Sequence, residues 1–260
     1  HQNNVLSIDF INSKGLIIST SNDLKINLND FKTQNSYFHT EGYLDVVTFA
    51  QFYIQKLNLI LFGDSKGNLV IKQLVEEKES RFIKNIFFLE LYNNRITSIF
   101  VDNSNSFIFV GFEDGKLIVL ESGSNFKIIP KIVYEWKFSN SITNIDVISE
   151  SKTLMISTNS GFVALIEISS PQNIYIQKLV NEGLIKLFKI DSQQLLFILT
   201  EDNYLDIFQY PDNIYTNERL ENKNFKNIFW DFEKKGSPAV RLGKFSYAER
   251  KAYSLIIFNR

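Results

Sequence analysis

The stretch FIFVGFEDGKLIVL, from Phe107 to Leu120, decides the fold. It contains two short apolar runs, Phe107–Phe112 and Leu117–Leu120, joined by the polar link Glu113-Asp114-Gly115-Lys116. Runs rich in aromatic and β-branched residues are typical of strands, and they are too short for helices. An Asp-Gly pair favours a tight hairpin because glycine tolerates positive φ. The stretch therefore predicts an antiparallel hairpin, and its nearly continuous apolar runs predict burial on both faces.

The same hairpin pattern returns along the chain. The residues that open the strand after each polar turn are separated by steps of 45, 48, 46, 42 and 50 residues, and they are Leu24, Leu69, Leu117, Val163, Leu205 and Leu255. A further strand precedes each hairpin, as Ile96–Val101 does before Phe107. A strand-rich unit of this period is typical of a propeller blade.

A fourth, more polar strand follows most of the units. These expected outer strands are Asn35–His39, Phe82–Leu91, Lys127–Phe138, Ile174–Val180 and Ile214–Leu220. We therefore predict an all-β chain that forms a β-propeller of four-stranded blades. Six units are visible, which fits a six-bladed ring or part of a seven-bladed one.

The repeat covers residues 1–260 as a single domain, although the last unit, about 222–260, is irregular. Its expected strands are Phe225–Phe232, Ala239–Ser246 and Ser254–Phe258. Six inner units and five outer strands leave one outer strand missing. Two architectures remain open: a ring closed by residues outside this sequence, which we favour because chain termini are often cut or disordered, or an open propeller completed by a partner's strand.

In Phe107–Leu120 and Leu57–Leu74 the units resemble WD-repeat β-propellers, and the resemblance extends over about residues 5–210. That family's Gly-His pair is missing, and His39, ahead of Asp64, is the only candidate for its histidine. The single Trp-Asp pair, Trp230-Asp231, lies in the wrong strand. The resemblance implies a His–Asp–Ser–Trp network within each blade. Since most units lack its residues, we expect apolar packing to hold them.

The bulk composition argues against several functional classes. The net charge is −1, the pI is about 6.2, and the chain has no cysteine. Phosphate-dependent nucleic-acid binding usually needs a basic excess, so a nucleic-acid partner is not expected. No run of 18 apolar residues is present, and no signal-peptide pattern begins the sequence. We expect a cytoplasmic or nuclear protein without membrane insertion.

Motifs of catalysis are missing from the sequence. It has two histidines and no HExxH, GxGxxG or GxxxxGK[ST] pattern. Acid pairs such as Glu113-Asp114 and Glu201-Asp202 occupy equivalent turns, where aspartate is a good turn residue. We therefore predict no enzymatic activity, no metal, no cofactor and no small-molecule substrate.

One face of the propeller is the expected partner-binding surface. The turns between second and third strands should open on the same face as the loops from outer to inner strands. Tyrosine and arginine are enriched at binding hot spots, and acidic turns would give the face local acidity suited to a basic peptide. The candidate residues are Tyr43, Tyr92, Arg95, Glu113, Asp114 and Asp202.

These observations predict a protein–protein interaction scaffold within a larger multiprotein assembly, with other protein subunits as partners. One alternative is an open propeller similar to those of coats and nuclear pores. Another is a propeller that binds RNA or assists RNA processing. The RNA alternative rests on lysines interleaved with aromatic residues, namely Lys223, Lys226, Lys234 and Lys235 with Phe225, Phe229 and Trp230.

Overall fold

The computed structural model describes residues 1–31, 36–39, 48–76, 81–102, 106–123, 126–148, 153–168, 174–179, 183–190, 195–200, 205–209 and 226–227. Apart from one short 3-10 helix, Asn12–Lys14, the regular elements in these ranges are β-strands. They are β1 Val5–Ile11, β2 Leu16–Ser21, β3 Ile26–Asp30, β4 Ser36–His39, β5 Thr48–Ile54, β6 Leu59–Asp64, β7 Asn68–Glu76, β8 Arg81–Glu90, β9 Ile96–Val101, β10 Phe107–Phe112, β11 Lys116–Glu121, β12 Lys131–Lys137, β13 Ile142–Ile148, β14 Thr153–Thr158, β15 Phe162–Glu167, β16 Ile174–Lys178, β17 Leu184–Ile190, β18 Leu195–Thr200, β19 Leu205–Gln209 and β20 Lys226–Asn227.

The described strands form five four-stranded antiparallel sheets, and in each sheet the strands follow one another in chain order. We number the sheets first to fifth, from β1–β4 to β17–β20. The first strands of consecutive sheets contact one another, β1 with β5, β5 with β9, β9 with β13 and β13 with β17. This confirms the predicted all-β class, and the sheets have the arrangement of propeller blades.

Every first strand begins with a β-bulge. The strand register shifts between Val5 and Ser7, and the same shift recurs at the second residue of β5, β9, β13 and β17. A bulge inserts one unpaired residue, bends the strand and increases its twist. The five sheets therefore share one backbone geometry where their first strands begin.

Small residues allow neighbouring sheets to approach closely. A Cβ on Gly63 of β6 would lie 2.3 Å from Cγ2 of Ile96, the first residue of the third sheet. A Cβ on Gly111 of β10 would lie 2.6 Å from the equivalent atom of Ile142. Buried aliphatic and aromatic side chains fill the space between consecutive sheets. Apolar packing thus holds the described sheets together, as expected from the missing polar motif.

The repeat boundary predicted at Leu24 is wrong by two residues. Leu24 has φ +66° and its amide bonds to the Ser21 carbonyl, so it closes a turn. Gly67 and Gly115 do the same in the next two sheets. The strand begins at Ile26 instead. Leu24 occupies the last turn position, where the equivalent turns have glycine, so the end of this turn is hidden in the sequence.

The predicted first strand of a sixth unit, Phe225–Phe232, also needs correction. Within it, Lys226 and Asn227 pair with Gln209 and Phe208 of β19 and form the fourth strand of the fifth sheet. Backbone pairing to the free edge of β19 gives these two residues the outer position. The expected outer strand Ile214–Leu220 and the remainder of the sixth unit lie outside the described residues.

Candidate partner-binding site

The turns between second and third strands lie beside the loops that lead from outer to inner strands. The carbonyl of Gly67 accepts hydrogen bonds from the amides of Leu91, at 3.2 Å, and Tyr92, at 3.4 Å. In the next sheet the carbonyl of Gly115 accepts the amide of Phe138, at 2.9 Å. A Cβ on Gly67 would lie 1.6 Å from the Tyr92 carbonyl oxygen, so only glycine fits there. The structure therefore brings these segments to one end of the sheets, which we call the turn face.

Tyr92 joins the second sheet to the third. Its hydroxyl donates to Oδ2 of Asp114 over 2.9 Å. Its ring meets the buried ring of Phe112 edge-on at 5.3 Å, and the Lys116 amine lies 4.2 Å from its centroid. Contacts on three sides fix the orientation of this side chain. Tyr92 is thus an anchor of the turn face.

Arg95 carries the more accessible part of the site. Its Nη1 lies 2.9 Å from Oε1 of Glu113, and the guanidinium carbon lies 4.2 Å from the ring centroid of Phe49. The Glu113 amide also donates to the Arg95 carbonyl over 2.9 Å. The side chains of Arg95 and Glu113 are 39% and 48% exposed. This pair is held in place yet open to solvent.

Asp114 connects the turn to β12. Its carboxylate accepts the amide of Lys116 at 3.1 Å and forms an ion pair with the Lys137 amine. Burial alone raises the pKa of Asp114, but the hydrogen bonds from Lys137, Lys116 and Tyr92 outweigh it and hold the pKa below its usual value. The carboxylate is therefore ionised near neutral pH.

The charges of the site are balanced. Arg95 pairs with Glu113, Lys137 pairs with Asp114, and the Lys116 amine lies 3.1 Å from Oε2 of Glu135. The expectation of local acidity suited to a basic peptide is wrong for this cluster, because each described acid has a basic partner. Recognition here would depend on aromatic and guanidinium surface rather than on net charge.

Four predicted site residues, Tyr92, Arg95, Glu113 and Asp114, lie together in this cluster. Tyr43 and Asp202 lie outside the described residues, and so do all the lysines and aromatic residues of the RNA alternative except Lys226. The binding role of all six residues stays a prediction.

The sequence reasoning missed Lys116 and Lys137. A signal for Lys116 was available, because Asp23, Asp64 and Asp114 are each followed two residues later by a lysine. In each case the aspartate accepts the amide of that lysine. Asp64 also accepts two bonds from Asn68, so its carboxylate stabilises its own turn.

A cleft of about 590 Å³ lies between β5 and β9 at the ends of these strands, lined by Phe52, Tyr53, Ile54, Gln55, Lys56, Val101 and Asp102. The Asp102 carboxylate accepts the amides of Ser106 and Phe107, both at 2.8 Å, so it closes a turn.

Within the described ranges, no group of three or more His, Cys, Asp or Glu residues is placed to hold a metal ion. No helix in those ranges is long and apolar enough to span a bilayer.

No protein-family model matches the sequence, and no curated protein matches it. Among solved structures, the fold is similar to that of a chain in the crystal structure of a mitotic checkpoint complex, with a TM-score of 0.67 and 11% sequence identity. The match covers 80% of this chain and 63% of that chain. Because 1547 chains of solved structures match, the similarity identifies a widely used fold and does not select one function.

Proposed function

We propose that this chain is a non-catalytic interaction scaffold, a WD-repeat-like propeller subunit of a larger multiprotein assembly in the cytoplasm or nucleus. The observation that carries the proposal is the cluster on the turn face, where Tyr92 is locked between two sheets and the Arg95–Glu113 pair stays open to solvent. The similarity to a chain from a multiprotein complex supports the same conclusion. Other protein subunits are the partners.

The physical properties of the cluster suit protein recognition. Arginine and tyrosine are enriched at hot spots, where they supply large contact areas. Arg95 already lies against Phe49 and Glu113, so binding would cost little further side-chain entropy. Since the charges of the cluster are paired internally, a partner gains by covering the guanidinium and aromatic surface.

A charge reversal at Arg95 tests the scaffold. We expect the tagged full-length protein to elute from size exclusion of a cell extract in a large complex, and Arg95→Glu to shift it to a smaller size. Lys14→Glu is the matched control, since Lys14 forms an exposed ion pair with Glu76 away from the turn face. Circular dichroism confirms that both variants fold. A monomeric wild-type protein, or an unchanged Arg95→Glu complex, would contradict the proposal.

A second observation bears on how the propeller is completed. On β1, Val5, Ile8 and Phe10 are 46%, 58% and 57% exposed. The strand pairings make Val5 and Ile8 equivalent to Ile96 and Ile99, which are buried against the preceding sheet. The outer face of β1 is therefore shaped to receive another sheet.

Two kinds of completion would cover this face of β1. A ring of six or seven blades closes when a sheet of the same polypeptide covers β1, and an open propeller of the coat or nuclear-pore kind is completed by a partner. Ile8→Lys separates the two. In the closed ring it lowers the free energy of unfolding of the isolated chain. In the open propeller it leaves that stability unchanged and dissociates the assembly.

A further inference from the structure

The outer edge of the third sheet is unusually apolar. Five consecutive residues of β12, Lys131–Glu135, are exposed, and they include Ile132 at 46%, Val133 at 38% and Tyr134 at 42%. Just before the strand, Ile128 and Ile129 are 57% and 58% exposed. Concentrated exposed apolar surface on a folded protein marks an interaction site more often than scattered apolar residues do.

The exposed apolar surface is less continuous on β8, the outer strand of the second sheet. Exposed Lys84 and Asn85 separate the two exposed phenylalanines of β8, Phe82 and Phe88. On β16, Ile174 and Ile176 are exposed. Ile132, Val133 and Tyr134 are consecutive exposed apolar residues, and this continuity distinguishes the third sheet from the second.

The edge of β12 is also held rigidly. It pairs with β11 from Lys131 to Lys137, with a single bulge at Val133. The rings of Tyr134 and Trp136 stack at 5.6 Å. The ion pairs of Glu135 with Lys116 and of Lys137 with Asp114 fasten its far end. A pre-organised edge lowers the entropic cost of adding a strand.

The side of β12 that faces away from β11 determines what kind of segment could bind there. Among the described strands none pairs with that side, which leaves outward backbone donors and acceptors in extended conformation. Such an edge recognises an extended backbone through main-chain hydrogen bonds. The exposed Lys127 and Lys131 at the start of the edge favour carboxylates, whereas the charges at its far end are already paired within the sheet.

We propose that β12 is a strand-addition site for an extended segment of a partner protein, with alternating apolar side chains and acidic residues that meet Lys127 and Lys131. Its evidence is separate from that for the Arg95 cluster. It provides the scaffold with a second, sequence-selective contact on the rim.

The probe is a fluorescein-labelled, acetylated peptide of three threonine-valine repeats followed by two aspartates, titrated against the full-length protein by fluorescence anisotropy. We expect saturable binding that Ile132→Lys weakens by about tenfold or more, equivalent to about 1.4 kcal/mol. Ile176→Lys on β16 is the matched control, since Ile176 has a similar exposure of 49%. It should leave the affinity unchanged.

Two further measurements identify strand addition. The same peptide with its threonines and valines all N-methylated keeps its side chains and loses the backbone donors of both edges, so its binding should be lost. Hydrogen exchange should show new amide protection within β12 in the complex with the unmodified peptide. No binding, equal binding of the methylated peptide, or equal weakening by Ile176→Lys would overturn the proposal. None of these outcomes depends on the assembly seen by size exclusion.

Discussion

Gly63 lies against Ile96 so closely that a Cβ on the glycine would stand 2.3 Å from Cγ2 and 2.7 Å from Cβ of the isoleucine. The contact joins the second strand of one sheet to the first strand of the next. Gly111 and Ile142 repeat it one sheet further along. The distances from the second sheet to the third and from the third to the fourth are thus set by the absence of a side chain.

Gly63→Ala should therefore destabilise the protein. Overpacking of a filled core costs about 1–3 kcal/mol, and the three nearest atoms that the methyl group would meet belong to the buried side chains of Ile96 and Ile99. Urea denaturation of the wild type and the variant measures the loss. In a double-mutant cycle, Ile96→Ala should offset part of it, because removal of Cγ2 makes room for the new methyl group. Strictly additive losses would contradict the close contact.

Leu24→Gly should leave the protein more stable than Leu24→Ala does. Leu24 adopts φ +66°, where a Cβ costs about 1–2 kcal/mol, and both substitutions remove the same side-chain atoms beyond Cβ. After the entropic cost of glycine in the unfolded chain, we expect the free energy of unfolding of the glycine variant to exceed that of the alanine variant by about 0.5–1 kcal/mol. Urea denaturation of both variants measures the difference. Equal stabilities would refute the explanation by φ.

Asp114 should make stability depend on pH in the acid range. Its pKa in the folded protein lies below the ordinary value of 3.8, so the unfolded chain binds the proton more readily. Its contribution is complete above that ordinary value and is lost as the pH falls through the lowered pKa. Asp114→Asn should therefore lower the urea midpoint at neutral pH and have less effect in strong acid. Lys137→Met should reduce this difference by removing the ion-pair partner.

Lys72 should make the free energy of unfolding depend on pH in the alkaline range. It is 3% exposed, and burial lowers its pKa below the ordinary value of 10.5. Between the two values the unfolded chain binds more protons, so the free energy of unfolding rises with pH. Lys72→Met should abolish this rise. Lys84→Met should preserve it, because Lys84 is an exposed residue of β8. Urea titrations from neutral to alkaline pH measure both variants. An identical rise in the Lys72 variant would disprove the assignment.

Much of the fold followed from local chemistry. The Phe107–Leu120 hairpin was predictable because short β-rich runs flank an Asp-Gly turn. The first repeat was placed two residues early because Leu24 occupies a position where Gly67 and Gly115 mark the other turns. The bulges were not predictable, since the inserted residue varies, as Phe49 and Thr97 illustrate.

The candidate site was predictable only in part. Turn chemistry and strand order placed Tyr92, Arg95, Glu113 and Asp114 at one end of the sheets. The bond from Tyr92 to Asp114 joins two sheets and depends on how the sheets pack, which no local pattern reveals. The neutral charge balance also depends on Lys137, which is distant in sequence and reaches Asp114 only through the pairing of β12 with β11.

The main contacts between sheets join units that are consecutive in the chain. In an open arrangement, an additional unit at either end would therefore require one new contact surface and no repacking of the interior. Gene duplication can lengthen such a chain stepwise, and each copy is then free to diverge in its loops. Duplication followed by divergence would produce repeats of the kind seen here, similar in backbone and different in side chains.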